Sequence, residues 1–283
     1  MKIDVHAHYV PEGCRELPGP QPEQSTLAGD ITDLTRRVQD MDAMGVDMQA
    51  LSPWMGFLNR DLATARLTNA GIVEAMDRYP GRFLGLAAVP MSSPEEAATE
   101  LERAVKDMGL HGAGIGTNVG GTNLDAKEFA PFYAKAQELD VPIFIHPVDV
   151  LGADRLRSYY LILLLGVPTD TAVAVASLIF GGVLKEFPRL KFYLAHGGGS
   201  CPYIMGRWEQ GWRVRPETKA NIDRPPSEYF KRQIYSCFWF EENSLERAIE
   251  LYPDNILWET DFPHPTCQHP GLEGGLTEHP ADY

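Results

Sequence analysis

The sequence predicts an α/β chain of the TIM-type (β/α)8 barrel class, folded as one domain over residues 1–283. Three observations carry that expectation. Strand-like and helix-like segments alternate through eight strands with no internal repeat and no linker. The length of 283 residues suits a barrel of about 250 residues built as a single unit. After the first strand, where a doubly wound sheet would carry a Gly-rich phosphate loop, the chain places histidines instead.

The elements follow in order. Residues 1–8 alternate and are rich in β-branched side chains, the pattern of a strand. A Pro- and Gly-rich stretch over 11–29 precedes a helix from about Ile31 to Met44, with Asp30 as its cap. Strands are expected over 46–52 and 83–89, with a helix over 60–78 between them. Ser93-Pro94-Glu95-Glu96 starts a helix that runs to about Asp107, with Ser at the N-cap and Pro at the first helical position. The rest reads as strand 112–116, helix 126–139, strand 141–145, helix 172–186, strand 190–195 and helix 202–212. Segments 233–237, 243–251 and 255–258 complete the eighth β-element. A covering helix is expected after that strand, yet 262–283 is dominated by Pro, Gly, His and Thr. Either the chain stops short or another subunit covers that face.

Composition narrows the function. A formal net charge of −14 offers no basic stripe to a phosphate backbone and argues against a nucleic-acid partner. Cys14, Cys201, Cys237 and Cys267 are scattered and form no CxxC pair, as expected of free thiols in a reducing compartment. No signal peptide opens the sequence. The most apolar run, Tyr159 to Leu165, falls far short of the ~20 residues that span a bilayer. No membrane partner is expected, and the cytoplasm is the expected address.

The chemistry concentrates at strand ends, where barrels place their active sites. His6 and His8 flank one residue, so a pleated strand sends both imidazoles to one side. His146 ends Pro142-Ile143-Phe144-Ile145, His196 ends the strand finishing Leu194-Ala195, and Asp261 ends Trp258-Glu259-Thr260. Four histidines and an aspartate in register at the first, fifth, sixth and eighth strands point to a shared metal site. Gly197-Gly198-Gly199 lacks GxGxxG spacing and a following acidic partner, so it reads as a tight turn bringing backbone close to the site.

The arrangement resembles the amidohydrolase superfamily, and in particular its branch containing aminocarboxymuconate-semialdehyde decarboxylase. The likeness rests on residues 2–8, Gly116-Thr117-Asn118-Val119, Ile179-Phe180-Gly181-Gly182-Val183, Leu194-Ala195-His196-Gly197-Gly198-Gly199, Gly206-Arg207, Arg215-Pro216 and Thr260-Asp261-Phe262-Pro263. It implies that His6, His8, His146 and Asp261 are metal ligands and that His196 is catalytic, not a ligand. It also implies that Arg207 and Arg215 contact substrate carboxylates, in part across a subunit boundary. His264 is a candidate for the pocket mouth, whereas His111, His269 and His279 are assigned structural or surface roles.

The fourth strand ends Gly114-Ile115-Gly116-Thr117-Asn118 and offers no Lys or Glu to bridge two ions, so one divalent metal is expected. Three imidazoles and a carboxylate suit Zn²⁺, with Mn²⁺ as the alternative, and no organic cofactor is expected. Coordination would bring the pKa of water toward ~7, with Asp261 taking its proton and His196 moving a proton or steadying negative charge.

The expected reaction is non-oxidative decarboxylation of an aromatic or unsaturated carboxylic acid. The alternative is hydrolysis of an amide, ester, lactone or C–C bond with the same metal-bound water. A metal-binding protein without catalysis is the weaker third reading, because a structural zinc closes its coordination sphere. A shorter 11–30 segment and the apolar 159–164 stretch set the chain apart from the decarboxylase and imply a rebuilt, more apolar pocket. A homodimer or larger homo-oligomer is expected, burying the uncovered barrel face and the apolar loop.

Overall fold

Strands joined by helical crossovers pair in parallel, and the main sheets of this protein do so. The computed structural model describes residues 1–17 and 31–264. The chain divides into two compact units, 1–114 with 258–283 and 115–257.

In the first unit β1 (Ile3–Tyr9), β2 (Met48–Pro53) and β3 (Phe83–Gly85) form a parallel sheet in that order. Asp4 pairs with Gln49 and His8 with Ser52, with a register irregularity between Asp4 and Ala7. The expected single strand over 83–89 is interrupted, because the chain changes partners there. β3 pairs with β2, whereas β4 (Ala87–Ala88) pairs with β5 (Ala113–Gly116). Helices α1 (Leu34–Ala43), α2 (Leu62–Arg78) and α3 (Pro94–Lys106) belong to this unit. The α1 start differs from the expectation: Asp33, not Asp30, caps it, accepting from the backbone N–H of Thr35 and Arg36 at 2.9 and 3.0 Å. Asp30 lies outside the described residues. Ser93 stands at the N-cap of α3 as expected, but its side chain makes no capping bond.

The second unit continues β5 into a small antiparallel hairpin, β6 (Asn118–Val119) with β7 (Thr122–Asn123). Then come α4 (Ala130–Leu139), β8 (Ile143–His146), α5 (Val167–Phe180), α6 (Val183–Glu186) and β9 (Phe192–Leu194). After these follow α7 (Cys201–Val214), α8 (Pro226–Gln233), β10 (Ile234–Phe238), α9 (Glu242–Leu251) and β11 (Ile256–Trp258). Ile143, Phe192 and Ile234 stand abreast in parallel register. The six-stranded sheet has the order β11-β10-β9-β8-β5-β4.

The helix expected over 172–186 starts earlier and is split. A π-helical turn over Ile162–Gly166 leads directly into α5, and Gly182, at φ +89°, separates α6. Pro168, which has no backbone N–H to donate, follows directly on the π-helical turn, where the hydrogen-bond pattern of the helix already changes. The continuous helix Ile162–Phe180 has 19 residues and is long and apolar enough to cross a membrane by length and composition. The short run Tyr159 to Leu165 therefore understated this stretch. Half of it is buried, and Ala174, Val175, Leu178 and Ile179 are fully enclosed. Burying each larger side chain there stabilises the fold by roughly 1.5–3 kcal/mol.

Candidate metal centre

The pleat of β1 carries His6 and His8 to one face, and both are fully buried. Beyond β11 the chain runs parallel to β1: Asp261 N–H donates to His6 C=O at 3.0 Å, and His8 N–H donates to Phe262 C=O at 2.7 Å. These bonds set Asp261 level with the two imidazoles. His6 Nε2 lies 3.3 Å from His8 Nε2 and 3.4 Å from Asp261 Oδ1, and His8 Nε2 lies 3.2 Å from the same oxygen. Asp261 adopts φ +55°, a conformation that costs a non-glycine residue energy and recurs at functional sites.

A polar frame surrounds this trio. Glu259 Oε2 accepts from His6 Nδ1 at 2.6 Å, and both side chains are fully buried. The carboxylate keeps the proton on Nδ1 and leaves the Nε2 lone pair facing the cluster. Asp4 accepts from Thr260 Oγ1 at 2.6 Å, Gln49 Nε2 at 2.7 Å, Thr260 N–H at 3.0 Å and His6 N–H at 3.2 Å. Burial pushes the Asp4 carboxyl up to about 6, against the downward pull of these hydrogen bonds. Arg37, on α1, donates to Gln49 Oε1 at 2.8 Å and to His8 C=O at 2.6 Å, and lies 4.5 Å over the Phe262 ring. Trp54, at the end of β2, meets the His8 ring edge-on with centroids 5.2 Å apart.

His146 ends β8 and is 3% exposed. Its Nδ1 lies 3.0 Å from Pro147 C=O, so the N–H sits on Nδ1 and the lone pair on Nε2. The His196 ring stands edge-on to it, with centroids 5.2 Å apart and planes at 75°. His196 also takes a positive φ, +57°. The glycines after it form the expected tight turn: a Cβ on Gly198 would lie 2.3 Å from Ser236 Oγ, and one on Gly199 would lie 2.5 Å from Pro168 C=O.

One donor atom from each of His6, His8 and Asp261 lies within 4.8 Å of the others. Neutral imidazole lone pairs and a carboxylate oxygen repel one another at such distances unless positive charge lies among them. A tetrahedral shell with bonds of about 2.0–2.1 Å has edges of about 3.3–3.4 Å, which matches the separations within the trio. The donor set fits a divalent ion.

The other predicted residues are distributed differently. His264 is close by, its Nδ1 3.8 Å from Asp261 Oδ2 with an 11% exposed side chain. Arg207 is exposed on α7, and Arg215, exposed at its exit, donates through Nε to Glu217 Oε1 at 2.8 Å. His111 Nδ1 accepts from Gly85 N–H at 3.3 Å, in keeping with a structural role. His269, His279 and Cys267 lie outside the described residues. Sequence reasoning missed Glu259, Asp4, Gln49 and Arg37. For Glu259 a signal existed: an acidic residue in an otherwise apolar strand, two positions before Asp261.

Comparison with known proteins agrees with this geometry. The chain is 36% identical over 299 residues to 2-amino-3-carboxymuconate-6-semialdehyde decarboxylase of Dictyostelium discoideum, covering 94% of this chain and 82% of that protein. It is 33% identical over 270 residues to gamma-resorcylate decarboxylase of a Polaromonas species, covering 88% and 82%. The crystal structure of a dihydroxybenzoic acid decarboxylase from Polaromonas, with bound manganese and the inhibitor 2-nitroresorcinol, superposes with a TM-score of 0.82 at 29% identity. That superposition covers 93% of this chain and 86% of the other. The fold class is the TIM-type (β/α)8 barrel, as the alternation of elements predicted. The amidohydrolase family profile matches residues 3–283, and with its histidine pair, its strand-end aspartate and its close relatives the chain belongs to the amidohydrolase family.

Proposed function

We propose that this enzyme is a mononuclear metal-dependent, non-oxidative decarboxylase of an aromatic or unsaturated carboxylic acid. The observation that carries the reading is the convergence of His6, His8 and Asp261 on one point, and the strand-end His146, with His196 edge-on to it, is assigned as the fourth donor. It is supported by two relatives named as decarboxylases of such acids. A fourth strand ending in Thr117 and Asn118, without a bridging Lys or Glu, favours a single ion. Three imidazoles and one carboxylate favour Zn²⁺; Mn²⁺, found in the Polaromonas structure, is the alternative.

Bound at this site, a divalent ion supplies positive charge that holds the acid's oxygens and draws electron density from the carbon skeleton. His6, His8, His146 and Asp261 fix the place of that charge. In decarboxylation the C–C bond to the carboxylate breaks, its electron pair stays on the substrate carbon, and CO2 leaves. That carbon must receive one proton, and His196 is the group we assign to deliver it. Arg207 and Arg215 are proposed to attract acidic substrates, and His264 to line the mouth of the site beside Asp261.

Self-association is part of the proposal. Tyr159, Leu164 and Leu165 are 87%, 65% and 53% exposed, and a homodimer would remove that apolar surface from water. Sedimentation at low concentration checks this, and a fully active monomer contradicts it. Free buried thiols at Cys14 and Cys201 favour a cytoplasmic setting.

The test of the reaction is product analysis after adding Zn²⁺ or Mn²⁺ to purified protein with a panel of benzoic and unsaturated acids, gamma-resorcylate included. CO2 released with one other product supports the reading. Fragments formed by stoichiometric addition of water would assign the site to hydrolysis instead.

A further inference from the structure

We propose that Asp170 positions the His146 imidazole for metal binding, acting through Thr117, Asn118 and the Pro147–Val148 peptide. The inference rests on the metal site described above and concerns a carboxylate outside it. Asp170 stands in the first turn of α5 and is 5% exposed. A buried carboxylate is costly unless its oxygens are hydrogen-bonded, and three neutral donors meet this one. Its Oδ2 accepts a short bond from Thr117 Oγ1 and a second from Asn118 Nδ2 at 3.3 Å, while Oδ1 accepts from Leu151 N–H at 3.0 Å.

These donors come from the end of the fourth barrel strand and from the segment after β8. Thr117 has one hydroxyl proton, and the short contact to Asp170 takes it. The hydroxyl oxygen is then left to accept from Val148 N–H at 3.2 Å. Asn118 Nδ2 donates to Val148 C=O at 2.8 Å. Both polar groups of Val148 are thereby held by the two side chains that Asp170 orients. The carbonyl just before them, that of Pro147, is the one that accepts from His146 Nδ1. That bond selects the tautomer with its lone pair on Nε2, the atom available to an ion. His6 has its orienting carboxylate in direct contact, in Glu259. His146 has a carbonyl instead, and Asp170 sets the position of that carbonyl from a distance.

The experiment compares Asp170→Asn, Thr117→Val, their double variant and Thr117→Ser with the wild type. Affinity for Mn²⁺ and Zn²⁺ is measured by competition with a chromophoric chelator, alongside melting of the metal-free proteins. Asparagine turns one acceptor toward the donors as an NH2, and valine removes the hydroxyl. Each should lower affinity about 10- to 100-fold, the range for partners that orient a ligand. The double variant should lose no more than the larger single, and Thr117→Ser should bind as the wild type does. Folded Asp170→Asn and Thr117→Val proteins of wild-type affinity would overturn the proposal, even with lowered melting temperatures, because a purely structural clamp behaves that way. Should Asp170→Asn fail to fold, the Thr117 pair decides, and equal affinity of the Val and Ser variants overturns it. A wild type that binds neither ion removes the metal site itself, a failure distinguishable from failure of the relay.

Discussion

On the proposed mechanism Glu259 orients a ligand and His196 delivers a proton, and single substitutions test the two roles separately. Glu259→Gln keeps the shape of the side chain but removes the charge that holds the proton on His6 Nδ1. Metal affinity should fall about 10- to 100-fold, read by calorimetric titration, and an unchanged affinity would show that the contact does not tune the ligand. His196→Ala should keep its metal while kcat drops about 10²–10⁴-fold. Metal analysis of that variant is the check, since complete loss of the ion would move His196 among the ligands. The five candidate residues were legible because period-two pleating and the ends of apolar strands mark them in one dimension. The frame behind them was not. Asp4 meets Thr260 across 256 positions of sequence, and nothing local to either residue announces that pairing.

At the level of elements, helices and strands were visible as alternation, while their ends and breaks depended on contacts. The strand over 83–89 divides because it serves two neighbours, and the 162–180 helix passes Pro168 by way of a π-helical turn just before it. α8 escaped notice: its eight residues, Pro226–Gln233, carry too few apolar positions to set a clear period. The cap of α1 gives a direct measure of such local detail. Asp33→Ala should cost about 0.5–2 kcal/mol by urea denaturation, and a neutral result would return the cap to another residue. α3 offers a pH test. Its Glu100 is buried, which pushes its carboxyl up, yet hydrogen bonds from Arg103, Asn69 and Arg66 outweigh burial and hold it below the ordinary value of 4.5. A carboxylate with a depressed folded pKa contributes stability that is present above its unfolded pKa and is lost as pH falls through the folded one. Glu100→Gln should therefore be less stable than wild type at pH 7 by about 1–3 kcal/mol. The gap should narrow as the pH drops below about 4.5; a gap independent of pH would assign the loss to packing.

For the molecule as a whole, the question is whether the ion builds the fold or is added to a fold already made. Enclosed residues such as Phe144, Phe192, Val175 and Leu178 give the chain an apolar core that owes nothing to the ligands, and a chain of this length buries enough surface to fold without a metal. A ligand that binds only the native state stabilises it by RT ln(1 + [L]/Kd), about 2.7 kcal/mol at a hundredfold excess over Kd. At roughly 2–4 °C per kcal/mol for a large domain, saturating Zn²⁺ or Mn²⁺ should raise the melting temperature by about 5–10 °C. His6→Ala and Asp261→Ala should lose that increment while melting near the metal-free wild type, since both remove donors from the cluster. Chelation should abolish turnover and leave the far-ultraviolet circular dichroism intact. Loss of helical signal on chelation at 25 °C would mean that the repulsion among the clustered donors exceeds what the core can hold, and the ion would then be structural as well as catalytic.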